Sequence, residues 1–139
     1  MTAAELRPQT TAETHEPSPR RLKILFTEGS STSARQSLYA LGRLGHTIDL
    51  CDSQRLCLGR FSRYVRRWHH APPFASQPMA YLDFLEKRLT DETYDVLFPV
   101  HDQVLLLSRF PDRFAPLAGL ALPAFQSLRR LQSKLEFVR

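Results

Sequence analysis

The 139-residue sequence contains only two cysteines and five glycines, and both scarcities carry information. Cys51 and Cys57 match no metal-ligand or redox spacing, which makes a reducing, cytoplasmic compartment the expected setting. Only Gly29 stands in the first strand-to-helix turn, whereas the dinucleotide fingerprint needs three spaced glycines. No apolar run approaches membrane-spanning length, so no membrane partner is expected. The stretch Met1 to Arg21 has threonine, proline and charge but no hydrophobic segment, which excludes a secretory signal and predicts a disordered tail. A last absence is local: no acidic residue occurs from Ser53 to Leu82.

The rest of the composition is that of one globular domain. Hydrophobic residues make up 42% and charged residues 24%, and a chain of this size has room for a single core. The net charge of +5 arises mostly from arginine, much of it between Arg55 and Arg67.

Order is predicted to begin at Leu22. Leu22 to Thr27 is an apolar run of strand length, followed by Glu28-Gly29-Ser30-Ser31. Ala34, Leu38, Leu41 and Leu44 recur at helical spacing, so a helix is expected with Ser30 or Ser31 as N-cap. Gly45 is placed to end it in the left-handed conformation, and His46 to Cys51 reads as a second strand. Further along, Phe61, Tyr64, Val65 and Trp68 share one helical face, ringed by Arg60, Arg63, Arg66 and Arg67. Ser76 and Pro78 open a helix with the stripe Tyr81, Leu82, Leu85 and Leu89. Tyr94 to Val100 is the most strand-like stretch, and Asp102 is expected to cap a helix through Leu107. Ala118 to Pro123 reads as a final short strand and Phe125 to Leu131 as a short helix. Strands alternating with helices imply an α/β fold: a Rossmann-like three-layer sandwich with a mainly parallel sheet.

In such sheets ligands gather beyond the carboxyl ends of the strands, which selects Glu28 to Ser31, Cys51 to Ser53 and Val100 to Gln103. The first turn is able to cradle an anion on its N–H groups, or to be a plain helix start whose serines cap it for about 1 kcal/mol. Glu28 has no evident packing role at a strand tip. Asp52 stands where a dinucleotide enzyme holds a ribose, yet a solvated turn aspartate accounts for it as well. His101-Asp102 offers acid–base chemistry or ligand contact, although no third partner at suitable spacing completes a triad.

The arginine-rich stretch admits two readings. Basic residues interleaved with aromatics can form a single-stranded nucleic-acid surface. Aromatics on one helical stripe would instead face the core, leaving the arginines to meet another domain or an anionic substrate. Burial is the favoured reading, and nucleic acid the less favoured partner.

The residues from Leu22 to Arg139 also resemble the N-terminal, pre-ATP-grasp domain of ATP-grasp ligases, the carboxylate–amine type related to carbamoyl-phosphate synthase and biotin carboxylase. The resemblance is carried by Lys23-Ile24-Leu25-Phe26 and the serine-rich turn, Leu44-Gly45-His46-Thr47-Ile48, Ser62-Arg63-Tyr64, and Tyr94 through Asp102. Ser133-Lys134 resembles the crossing into the ATP-grasp domain, and Gln132 to Arg139 would begin that domain, here cut short. The resemblance implies ATP and magnesium as cofactors in a full-length parent, none in this stretch alone, and attack of an amine or other nucleophile on an acyl phosphate. It implies partners too: a C-terminal ATP-grasp domain of the same chain, and small carboxylate and amine substrates. Glu28, Ser30, His101 and Asp102 would contact substrate, and Lys134 would reach ATP phosphates. No glycine-rich phosphate lid, paired magnesium ligands or second grasp lysine is present, so no catalytic residue is assigned here. A stand-alone Rossmann-like nucleotide-binding module, using the Gly29 turn and Asp52, is the alternative.

Overall fold

The apolar run after Leu22 becomes the central strand of a parallel sheet. A computed structural model describes residues 20–120 and 122–132. Strand β1 (Lys23–Phe26) pairs on one side with β2 (Thr47–Asp52) and on the other with β4 (Val96–Phe98). Strand β3 (Val65–His70) lies outside β2, so the order is β3-β2-β1-β4 and every pairing is parallel. A parallel bridge from Val96 to Gly119 extends the sheet past β4, and among the described residues it is all that forms of the strand expected over Ala118 to Pro123.

Helices cover both faces, giving the expected Rossmann-like three-layer α/β sandwich. Helix α1 (Thr32–Arg43) packs Ala34 and Leu38 against Ile24, Phe26, Ile48 and Leu50. On the other face α2 (Pro78–Asp91) buries the predicted stripe of Tyr81, Leu82, Leu85 and Leu89 with Leu25, Cys51 and Leu97. Helices α3 (Gln103–Ser108) and α4 (Pro111–Phe114) add Leu107 and Phe114 to that second core. Helix α5 (Phe125–Gln132) follows. Ser31, not Ser30, caps α1, its Oγ accepting from Ala34 N–H at 3.1 Å. Gly45 adopts φ +83°, the left-handed geometry its place after α1 required.

Two expectations fail here. The helix expected over Phe61 to Trp68 is a 3-10 turn (Leu58–Phe61) leading into β3. The cause is a β-bulge: Ile48 faces Val65 and Asp49 faces Arg67, so Arg66 is the extra residue. The extra residue brings Val65 and Trp68, three apart, to the same hydrophobic cluster and imitates helical spacing. Phe61, expected in the core, is 67% exposed. Asp102 does stand at the N-cap position of α3, but its backbone is already helical (φ −64°, ψ −18°) and its side chain makes no capping bond. The opening turn is held by backbone alone: the His101 carbonyl accepts from Val104 N–H at 3.0 Å and the Asp102 carbonyl from Leu106 N–H at 3.3 Å. Of the expected tail, 1–19 lie outside the described residues, while Arg20 is described and bonds Asp95 at 3.1 Å. Residues 133–139, Lys134 among them, also lie outside.

Candidate substrate cleft

The strand order reverses between β1 and β4, and the loops that leave their carboxyl ends part there, leaving a crevice between them. The β1–α1 turn contributes Glu28, Ser30 and Ser31, the β4–α3 turn His101, Asp102 and Gln103, and Phe74 closes one side of a space of about 410 Å³. A tighter recess of about 130 Å³ continues beneath Ser30 to Thr27, Asp52 and Tyr81. All four predicted contact residues, Glu28, Ser30, His101 and Asp102, therefore line one cleft.

The β1–α1 turn is held by carboxylates. Glu28 Oε1 accepts from the N–H groups of Ser30 (2.5 Å) and Ser31 (2.6 Å), and its Oε2 accepts from Ser31 Oγ at 2.7 Å. Asp52 Oδ2 accepts from Gly29 N–H and from Ser30 Oγ, both at 2.9 Å, while Oδ1 accepts from Gln54 N–H at 2.7 Å. Asp52 is thus no solvated turn residue; it is buried and ties the tip of β2 to the turn after β1. Three N–H groups that would greet a phosphate already face carboxylates. That arrangement opposes a pyrophosphate in this turn.

The β4–α3 side rests on a buried polar contact. Thr27 Oγ1 donates to Gln103 Oε1 at 2.5 Å and accepts from Val100 N–H at 3.2 Å. Below them Tyr81 donates to the carbonyl of Thr27 at 3.4 Å. His101 has φ +52°, the sole positive φ of a non-glycine among the described residues, a conformation that costs on the order of 1 kcal/mol. Its imidazole Nε2 reaches across the crevice to Ser33 Oγ at 2.7 Å. Asp102 is exposed at the rim.

Sequence reasoning missed Thr27 and Tyr81 as parts of this cleft, and it placed Gln103 at a strand end without giving its side chain a role. The available signal was a threonine ending an apolar strand and a glutamine opening a helix, both inward and both polar. It also missed a second ionic site at the opposite edge of the sheet. There Asp49, fully buried in mid-strand, accepts from Arg66 Nε (2.9 Å) and Nη2 (2.6 Å) and from Tyr94 Oη (2.6 Å). Burial raises a carboxyl, but the bonds from Arg66 and Tyr94, with the Arg66 charge, outweigh it and hold Asp49 below its usual value. Glu92 joins them with Lys23 at 2.5 Å and Arg67 at 3.0 Å; chiefly through Lys23 and Arg66 its carboxyl is pulled down to about 2.

Among the described residues no group of three or more His, Cys, Asp or Glu is placed to hold a metal ion, and no helix is long and apolar enough to cross a membrane. No protein-family model matches the chain, and neither does any curated protein.

Proposed function

We propose that this chain is the substrate-side lobe of an ATP-dependent ligase that joins a carboxylate to an amine or thiol. The observation that carries the reading is the lining of the cleft. In a chain of net charge +5, the cleft holds three carboxylates, Glu28, Asp52 and Asp102, and neither lysine nor arginine. Such a lining attracts an ammonium group and repels phosphate. Each carboxylate oxygen can accept about two bonds, so Glu28 Oε2 and Asp52 Oδ1 each keep one acceptor position after serving the turn. Glu28 and Ser30 would orient the amine from one wall, and His101 and Asp102 from the other. The buried, free thiols of Cys51 and Cys57 support the cytoplasmic setting.

The β1–α1 turn does not suit the phosphates of ATP, with or without magnesium, because its N–H groups are taken by Glu28 and Asp52. In this proposal both belong to a C-terminal ATP-grasp domain, with Lys134 as its phosphate-contacting lysine. The rival dinucleotide reading must place a pyrophosphate against Glu28 and Asp52. The rival nucleic-acid reading loses Arg66 and Arg67 to ion pairs with Asp49 and Glu92.

The test is an amide chemical-shift titration of the chain with a panel of primary amines and amino acids, and separately with NADH. Shifts confined to residues 28–31, 52–54 and 101–103 with an amine support the proposal. Silence with every amine, or shifts with NADH at the same turn, overturns it. In the full-length protein, ADP release should require both an acid and an amine. There Glu28→Gln should raise KM for the amine roughly tenfold with kcat little changed, as expected for lost ground-state binding.

A further inference from the structure

The loop between β2 and β3 carries apolar side chains that the core does not use. Leu56 is 79% exposed, Leu58 60% and Phe61 67%. Leu58 and Phe61 are three apart in a 3-10 turn, where such side chains eclipse, so they stand on one side. The patch continues onto α1 through Tyr39, 53% exposed, which meets the Tyr64 ring edge-on at 5.8 Å. Scattered exposed leucines need no explanation, but a clustered apolar surface marks an interaction site.

Its charge has one sign and one chemistry. Arg55, Arg60 and Arg63 rim the loop and Arg43 rims α1, with no lysine between Gln54 and Val65 and no acidic residue in the loop. The arginines are held in place before any partner arrives. Arg60 lies 4.3 Å from the Trp68 ring centre and donates to the Arg55 carbonyl at 2.8 Å. Arg63 lies 4.9 Å from the Tyr64 ring and donates to its Oη at 2.7 Å. A guanidinium lying on a ring still offers its forked N–H groups to a carboxylate.

The loop is also rigidly mounted. Gly59 N–H donates to the Gly29 carbonyl at 2.9 Å, and a Cβ on Gly59 would stand 2.8 Å from that oxygen. A Cβ on Gly42 would run into the Tyr64 ring at 2.2 Å. Backbone therefore meets backbone, and ring meets helix, with no slack.

We propose that this face docks a protein segment that presents carboxylates beside apolar side chains. Arginine and aromatics enriched, with lysine and acids depleted, is the composition of protein interface cores. Pre-placed side chains lose little freedom on binding, which favours a specific partner. A bilayer would be served better by free, flexible cations. A single-stranded nucleic acid stacks successive bases on open ring faces, and two of the four rings here, Trp68 and Tyr64, already carry Arg60 and Arg63.

The experiment is selection of an unbiased displayed random-peptide library against the intact chain, followed by affinity measurement with synthetic copies of the winners. Peptides rich in Asp or Glu next to Leu or Phe should emerge. Their affinity should fall about tenfold or more with Phe61→Ala and with Arg63→Ala, in line with interface hot spots. Leu56→Ser, at a fully protruding position, serves as a third variant that keeps the fold, and retained thermal midpoints identify folded variants. Failure to enrich such peptides overturns the proposal, as does equal binding by all three variants. Binding of phosphatidylserine vesicles or of an oligothymidylate, lost in those variants, overturns it in favour of that ligand. None of these outcomes depends on the cleft.

Discussion

Asp49 and Asp52 lie three residues apart on β2, both buried, and they do opposite things. Asp49 serves the amino edge of the sheet, where Arg66 returns a full positive charge to it and Glu92 links Arg66, Arg67 and Lys23. Asp52 serves the carboxyl edge, where its partners are N–H and O–H groups that bring no net charge. One edge is neutralised and inert; the other keeps an uncompensated negative potential beside a cleft. Burying a carboxylate is thus compatible with either role, and what separates the roles is whether the partner carries charge.

The comparison can be broken most strongly from the amino edge. Arg66→Ala would leave Asp49 buried without its cation, and should cost about 3 kcal/mol in urea denaturation. Arg67→Ala removes only a half-exposed pair to Glu92 and should cost under about 1 kcal/mol. If the two variants lose the same stability, the amino edge is a surface network and the contrast with Asp52 collapses.

The next largest effect belongs to the carboxyl edge. Gly59→Ala forces a Cβ against the backbone of Gly29, and should cost about 2 kcal/mol as overpacking does. Amide shifts should concentrate at residues 28–31 and leave Asp49 and Tyr94 unmoved. A smaller loss, about 1 kcal/mol, is expected for Asp52→Asn, which keeps the shape but weakens bonds to a charged acceptor. The same substitution should weaken amine binding, whereas Asp49→Asn should leave it unchanged.

The smallest effect per group lies along the pH axis, and it sharpens the assignment of charge. Glu92, drawn down to about 2, and Asp49, held low, bind protons less readily folded than unfolded. Stability is then present above their ordinary values, near 4.5 and 3.8, and is lost as pH falls toward 2. His69 adds to the trend from higher pH. Burial lowers it, offset in part by Asp49, so stability begins to fall as pH drops below its ordinary 6.5. Urea midpoints measured from pH 7 to pH 2 should decline throughout, and less steeply in Glu92→Gln. An unchanged slope in that variant would remove Glu92 from the account.

Much of this architecture was legible in the sequence because local rules agreed with it. The β1 run, the serine cap, Gly45 and the α2 stripe each carried a signal that packing then used. The convergence of Glu28, Ser30, His101 and Asp102 on one cleft followed from a single rule about strand ends in parallel sheets. What was hidden is what depends on partners distant in sequence. A bulge altered the period of β3, so Phe61 to Trp68 read as a helix. Asp102 takes the N-cap position its type suits, but its backbone is already helical there and its side chain caps nothing. Asp52 looked solvated because its partners lie on the turn after β1, more than twenty residues away. Tyr94 and Arg66 find Asp49 only once the sheet is assembled.

Among the described residues strand β3 is an edge, with backbone groups on its outer side that a neighbouring molecule's strand can pair with. The bulge at Arg66 interrupts the regular spacing such pairing needs and sets two arginines side by side along the edge. A second copy approaching there would meet a broken ladder, so the device that fastens Asp49 also guards the sheet against growing outward into an aggregate.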